Sequence, residues 1–167
     1  GDLKDRPVTS RLYRSTDGIN YVTIAPTMSA TPTSGETALL FRKDGSAVAL
    51  VRLQGDRSRI GTARGDYTQW TFKDIDQGTG GPELIELHDG TLLAGTRLLS
   101  GKVRTSLCWV DPEAGRMVEL LRLPSAGDTS YPGLVWHDDV LWMSYYSTHE
   151  GKSSIYLAKV RVQPAAK

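Results

Sequence analysis

Short apolar runs separated by turns that contain aspartate recur along this chain. In residues 81–97, an apolar run meets the pair Asp89-Gly90, and a second apolar run follows and ends at Arg97. Both turn residues tolerate the positive φ that a type I′ turn requires. The pattern therefore predicts a β-hairpin closed by a type I′ turn.

Two other segments repeat this hairpin pattern. Residues 35–52 have Asp44-Gly45 at the turn, and residues 130–146 have Asp138-Asp139 there. In the third copy, Tyr146 takes the place of the closing arginine. A spacing of roughly 40–50 residues, with several short strands in each repeat, is typical of propeller blades.

Further apolar runs between the hairpins predict additional strands, and no segment shows the 3.6-residue apolar stripe of a helix. We expect an all-β fold, a β-propeller of about three four-stranded blades that corresponds to half of a six-bladed propeller. The expected units of this single partial domain are a blade fragment at 11–25 and blades at 36–75, 83–123 and 130–162. Segments 26–35 and 76–81, rich in Gly, Ser, Thr and Pro, are predicted to be connecting loops.

Composition narrows the function classes only modestly. The 167 residues suffice for one domain, and 20 basic against 19 acidic residues give a net charge of +1. The basic residues form no long run, so neither a nucleic acid nor a membrane surface is an expected partner. Cys108 is the single cysteine, which excludes an intrachain disulfide, and its apolar surroundings in the sequence predict a buried thiol. The start at Gly1, without Met or a signal peptide, suggests a piece of a longer or processed chain.

The turn at residues 15–21 carries the most specific motif. Ser15, Asp17, Gly18 and Tyr21 fit the pattern Ser-x-Asp-Gly-x-x-aromatic, and Tyr21 is expected to fold back as the hydrophobic plug of the turn. This motif is similar to the Asp box of the sialidase (neuraminidase) superfamily, which has BNR repeats and a six-bladed propeller. Residues 63–70 resemble a degenerate second box that keeps only the terminal aromatic, and the whole chain resembles the C-terminal half of such a protein.

The resemblance implies a set of site residues. In sialidases, a glutamate opens one inner hairpin and an arginine closes it, which corresponds to Glu36 and Arg52. The next blade supplies another arginine, matched by Arg97, and the last blade supplies a tyrosine, matched by Tyr131. The resemblance therefore implies Tyr131 as nucleophile, Glu36 as its base, and the two arginines as a clamp for the carboxylate of an acidic sugar. Pro132 stands where many members of the family have a serine.

Other features of the resemblance leave alternatives open. The first-blade arginine and the acidic catalytic residue of the family belong to a half that this sequence lacks, and Arg6 is not a substitute for them. We expect a homodimer or a missing N-terminal half to complete the propeller. A non-catalytic glycan- or protein-binding module and a different exo-glycosidase remain alternatives. The segment 137–139 has metal-ligand residue types without a known spacing, so neither a metal nor a cofactor is expected, and family resemblance implies a secreted or periplasmic location.

Overall fold

The computed structural model describes residues 8–29, 33–54 and 57–162, and these contain thirteen strands and no helix. The strands are β1 (Ser10–Arg14), β2 (Val22–Ser29), β3 (Ser34–Phe41), β4 (Ala47–Leu53), β5 (Ser58–Ala63), β6 (Thr71–Ile75), β7 (Thr79–Glu86), β8 (Leu92–Leu98), β9 (Arg104–Asp111), β10 (Arg116–Arg122), β11 (Thr129–His137), β12 (Val140–Ser147) and β13 (Ser154–Val160). The predicted all-β class is confirmed. Within those residues, no helix is long and apolar enough to cross a membrane.

The strands form four antiparallel sheets in which chain neighbours pair with each other. The first sheet is β1-β2, the second is β3 to β6, the third is β7 to β10, and the fourth is β11 to β13. Hairpin connections explain this order, because antiparallel strands can be joined by short turns. Each sheet after the first begins with one of the three hairpins that the Asp turns predict.

The hydrophobic core is divided into three layers that lie between successive sheets. Leu12 and Val51 belong to the layer between the first and second sheets, and Ile60 and Leu98 belong to the layer between the second and third. Met143 belongs to the layer between the third and fourth sheets. Each of the middle sheets is therefore covered by apolar contacts on both faces, which explains the nearly continuous apolar runs of β4 and β8.

The turns of the first two hairpins differ from the predicted type I′. At the first, Gly45 N–H donates to Arg42 O at 3.1 Å, and Arg42 N–H donates to Ser46 O at 2.8 Å. Positive φ is confined to the glycine, 76° at Gly45 and 84° at Gly90 in the second hairpin. These are three-residue loops, a type I turn followed by a glycine bulge, because one more residue precedes the Asp-Gly pair than a type I′ turn contains.

The third hairpin has the type I′ geometry instead. Asp138 and Asp139 both have positive φ, 50° and 56°, and the ladder closes directly at the pair His137 and Val140. A short acidic side chain tolerates this conformation better than most side chains do. The Asp138-Asp139 turn, which contains no glycine, is therefore the shortest of the three hairpin turns.

Two segments predicted as loops belong partly to strands. Pro26 lies inside β2, an edge strand, where its missing N–H costs no ladder bond. Gly80 and Gly81 lie inside β7, which begins at Thr79. Neighbouring side chains approach the backbone closely at both positions, as described below, and this requires glycine. The resulting glycine-rich sequence is also typical of a loop, which explains the wrong prediction.

The turn at residues 15–21, which resembles an Asp box in sequence, lies between β1 and β2. Ser15 Oγ accepts the N–H of Gly18 at 2.8 Å, and Asp17 Oδ1 accepts the N–H of Asn20 at 2.8 Å. The hydrogen bonds that Asp17 accepts lower its pKa, and the bond from the backbone N–H of Asn20 contributes most. Tyr21 is 63% exposed, so its predicted role as a plug is wrong: the apolar side chains of this sheet, such as Leu12 and Ala25, pack against the second sheet and not around its ring.

Candidate functional site

The site lies where β3, β7 and β11 begin. Each of these strands is shifted in register against its hairpin partner near its first residues, as a β-bulge is. Bulges turn a side chain away from the regular alternation of a strand. The three bulges place Glu36, Gly81 and Tyr131 at matching positions of the second, third and fourth sheets.

Tyr131 and Glu36 meet across the third sheet. The Tyr131 hydroxyl donates to Glu36 Oε1 at 2.6 Å, although the two residues belong to sheets that are not adjacent. The contact is possible because glycine occupies the position between them. A Cβ atom on Gly81 would lie 2.6 Å from Ser130 Oγ and 2.8 Å from Tyr131 Cδ1. Glycine at this position therefore provides the space in which the pair forms.

Glu36 is held by three donors from three strands. Its Oε2 accepts Arg52 Nη1 at 2.9 Å and the backbone N–H of Gly81 at 2.9 Å, and its Oε1 accepts Tyr131. Partial burial alone would raise the pKa of Glu36, but the bonds from Gly81, Tyr131 and Arg52 together outweigh it and lower the pKa to about 2. The carboxylate is therefore anionic at neutral pH.

Tyr131 has an unusual backbone conformation. Its φ is +48°, a left-handed conformation that costs a bulky residue roughly 1–2 kcal/mol. The side chain is 58% exposed, and its hydrogen bond to Glu36 raises the pKa of the phenol. A neutral, accessible phenol that donates to a carboxylate results, and such backbone strain is common at functional sites.

Arg97 and Tyr146 occupy, on β8 and β12, the position that Arg52 holds on β4. Arg97 Nη1 lies 3.2 Å from Asp128 Oδ1, and the Tyr146 hydroxyl donates to the same oxygen at 2.8 Å. Partial burial, followed by the bond to Asp128, raises the pKa of Tyr146. Asp128 Oδ1 thus accepts hydrogen bonds from both the Arg97 guanidinium and the Tyr146 phenol.

The guanidinium and the aromatic rings pack closely around this centre. A Cβ atom on Gly80 would lie 2.8 Å from Arg97 Nε, so the arginine lies flat against the glycine backbone. The rings of Tyr131 and Tyr146 are stacked, with centroids 6.2 Å apart and planes inclined by 21°. Two phenol–carboxylate pairs therefore lie next to each other, each beside an arginine.

Buried hydroxyl pairs fix the sheets just beneath the site. Ser58 and Thr79 join the second and third sheets through side-chain oxygens 2.7 Å apart, and Thr105 and Thr129 join the third and fourth in the same way. All four residues are fully buried. Hydrogen bonds inside a low-dielectric core hold their partners at a defined distance, which supports the position of the bulges above them.

Several other polar or reactive side chains do not belong to this centre. Burial raises the pKa of Cys108 to about 12, consistent with the expected inert thiol. His149 stacks on Tyr156 with ring centroids 4.4 Å apart, and the Tyr156 hydroxyl donates to Glu150. Arg6 lies outside the described residues. The described residues contain no group of three or more metal-ligand side chains.

A shallow hollow opens beside the pair. It has a volume of about 250 Å³ and is lined by Gly35, Glu36, Arg52 and neighbouring residues. Ligand pockets usually measure at least ~300 Å³. The hollow is smaller than this, and its lining includes the carboxylate of Glu36 and the guanidinium of Arg52 but neither Tyr131 nor Arg97.

Three parts of the site were not predicted from the sequence. The sequence pattern predicts a loop at Gly81, gives no role to Asp128, and indicates for Tyr146 only that it replaces the closing arginine. Alignment of the hairpins on their Asp turns places Gly81 opposite Glu36, but it places Ser130 there in the third hairpin, because that loop is one residue shorter. The contact of Asp128 depends on the fold of the loop before β11, and no sequence signal indicates it.

Comparisons with known proteins support the fold. No protein-family model matches the sequence, and no curated protein matches it. Solved structures do match, among them a protein of unknown function from Dyadobacter fermentans, with 17% identity over 93% of this chain and 46% of its own, at a TM-score of 0.76. The Xyloglucan PUL GH43B protein of Bacteroides ovatus shares 16% identity over 91% of this chain and 34% of its own, at 0.66.

A xylan β-1,4-xylosidase from Bacillus halodurans is also similar, with 13% identity over 94% of this chain and 37% of its own, at a TM-score of 0.61. This chain thus spans less than half the length of these three structures. GH43 proteins are five-bladed β-propellers and not sialidases. The similarity therefore supports the propeller class, whereas the sialidase type and the six-blade count expected from the sequence are proposals only. The chain has a β-propeller fold.

Proposed function

We propose that this chain supplies the nucleophile half of a sialidase-like glycoside hydrolase that acts on a terminal acidic sugar such as sialic acid. The observation that carries the proposal is the 2.6 Å hydrogen bond from the Tyr131 hydroxyl to Glu36. Sialidases are the glycosidases that use a tyrosine nucleophile in place of one of two carboxylates. The similar solved structures include glycoside hydrolases, which agrees with a carbohydrate ligand, although the names of these enzymes give other sugars.

The proposed chemistry follows from charge. A sialic acid carries a carboxylate on its anomeric carbon, so an anionic nucleophile approaching that carbon is repelled. The neutral phenol of Tyr131 avoids this repulsion. As its oxygen bonds to the anomeric carbon, the O–H becomes acidic and the proton passes to Glu36. The glycosidic C–O bond breaks, its oxygen takes a proton from an acid of the missing part of the site, and water then cleaves the glycosyl–tyrosine bond.

The proposed substrate-binding groups are Arg52 and Arg97. Planar guanidinium groups bind carboxylates through paired N–H donors. Arg52 also bonds to Glu36, which fixes the base in place. Tyr146 contributes a hydroxyl at the third matching position, where a third arginine would otherwise continue the series.

A further sheet is proposed to cover the fourth sheet. Leu157 is 62% exposed, whereas its counterparts Ile60 and Leu107 in the second and third sheets are 1% and 2% exposed against the next sheet. Ile155 beside it is 85% exposed. A homodimer or a missing N-terminal half would bury this face and complete the cavity. Light scattering of the purified chain distinguishes the two, because only the first predicts a dimer.

Hydrolysis of a fluorogenic methylumbelliferyl sialoside tests the proposal. Methylumbelliferone is an acidic phenol that leaves as its anion, so this substrate does not need the acid of the missing part. We therefore expect turnover by the parent chain and a loss of at least about a hundredfold in Tyr131→Phe, since the nucleophile is removed. Tyr13→Phe, at an exposed tyrosine of the first sheet, is the matched control and should keep full activity. Equal turnover by Tyr131→Phe and the parent would exclude Tyr131 as nucleophile.

A non-catalytic glycan-binding module is the second candidate. Asp128 is already bonded by Tyr146 and Arg97, so the described part of the site shows no carboxylic acid placed to protonate a leaving group. This candidate predicts binding of a sialoside without cleavage, and with equal affinity in the parent and in Tyr131→Phe.

A further inference from the structure

Arg97, on β8 of the third sheet, already pairs with a carboxylate of the chain itself. Arg97 Nη1 pairs with Asp128 Oδ1 at 3.2 Å, and the Tyr146 hydroxyl donates to that same oxygen at 2.8 Å. An arginine and a phenol that converge on one carboxylate oxygen form a small anion-binding position. In this structure the chain's own Asp128 occupies it.

The two partners of this ion pair differ in how firmly they are held. The Arg97 side chain is only 17% exposed and lies against Gly80, whereas the Asp128 side chain is 65% exposed. Among the described residues, Arg97 hydrogen-bonds to Asp128 through one nitrogen, and its buried Nε has no partner. Arginine binds carboxylates more strongly through two nitrogens than through one. The bond to Asp128 is therefore an exchangeable one.

The balance of charges at the site also indicates that an anionic ligand would replace Asp128. Arg52 is matched by Glu36, and Arg97 is matched by Asp128, so these four side chains carry no net charge together. An anionic ligand gains little from a neutral cluster unless it replaces one of the two carboxylates. Glu36 is the less replaceable, because it holds three donors at 2.6 to 2.9 Å.

We propose that Asp128 is a specificity-determining residue that fills the anion position between Arg97 and Tyr146 and must be displaced by the carboxylate of an acidic sugar. The inference rests on the proposed function of the same site. Asp128 thereby sets how strongly the site discriminates an acidic sugar from a neutral one. After displacement, Tyr146 donates its hydroxyl to the ligand.

Binding measurements on Asp128→Ala test this role. The probes are N-acetylneuraminate and its uncharged methyl ester, measured by titration calorimetry or by ligand-observed NMR on the full chain. We expect Asp128→Ala to bind the carboxylate up to about fivefold more tightly, the factor that corresponds to the upper end of the range for an exposed ion pair. The ester should bind Asp128→Ala and the parent equally.

Asp139→Asn is the matched control for net charge. Asp139 is also exposed, but it lies in the hairpin turn at the other end of the fourth sheet, and its substitution should change neither affinity. The double variant Asp128→Ala with Tyr146→Phe should lose part of the gain, since the second donor is removed. An unchanged or weaker carboxylate affinity in Asp128→Ala, an equal gain for the ester, or no binding by any variant overturns the proposal.

The outcome is separable from that of the proposed function. A tighter carboxylate complex of Asp128→Ala without any turnover would support the role of Asp128 and refute the hydrolase. Turnover that depends on Tyr131, with carboxylate affinity unchanged in Asp128→Ala, would do the reverse.

Discussion

The substitution Gly81→Ala tests the geometry of the site most directly at the level of stability. The new Cβ would lie 2.6 Å from Ser130 Oγ, 2.8 Å from Tyr131 Cδ1 and 3.0 Å from the Tyr131 backbone nitrogen, and φ at Gly81 is +50°. The left-handed backbone costs roughly 1–2 kcal/mol with a Cβ, and the overpacking costs about 1–3 kcal/mol more. We expect a total loss of about 2–5 kcal/mol.

Thermal unfolding measures this loss. For a domain of this size, 1 kcal/mol corresponds to about 2–4 °C, so Gly81→Ala should lower Tm by about 4–20 °C. Gly90→Ala is the matched control: φ there is +84°, but no atom lies within 4 Å of the new Cβ. It should show only the backbone cost, about 2–8 °C. Equal shifts in the two variants would refute the claim that Tyr131 packs against Gly81.

Three other residues give independent predictions. The pKa of Glu36 falls from 4.5 to about 2 on folding. The ionised carboxylate therefore stabilises the folded chain above pH 4.5, and this contribution is lost as the pH falls towards 2. Glu36→Gln should remove this acid dependence of the free energy of unfolding, measured by denaturant titration at several pH values. Because the pKa of Cys108 is raised to about 12, a thiol reagent should label the folded chain far more slowly than the denatured chain. The hydrogen bond from Arg104 holds the pKa of Glu119 at about 2. Arg104→Met should therefore lower the free energy of unfolding by about 1–3 kcal/mol at neutral pH and by less in acid, where Glu119 is protonated. Equal losses of stability at the two pH values would contradict this.

The sequence predicted the hairpins and the strand class because Asp-Gly turns and apolar runs are local signals. The turn types were wrong at Asp44 and Asp89, because the choice between two- and three-residue loops depends on the pairing of both strands. Bulges are likewise a property of two strands, so the role of Gly81 could not be read from its own segment.

The candidate site, too, was predicted from the sequence only in part. The resemblance proposed Tyr131 and Glu36 together, and the structure places their oxygens in contact. It could not indicate Asp128, because that contact joins a loop of irregular sequence to side chains of two sheets. Contacts that depend on tertiary structure, rather than on local pattern, make up the remainder of the site.

Covalent trapping tests the central claim most directly. A fluorinated sialosyl fluoride, which accumulates the glycosyl–enzyme intermediate of retaining sialidases, would be incubated with the parent chain and with Tyr131→Phe, and peptide mass spectrometry would locate the adduct. The account predicts one sialosyl group on the Tyr131 oxygen of the parent and none on the variant. An adduct on another residue, or no adduct on the parent, would contradict the assignment of Tyr131 as nucleophile.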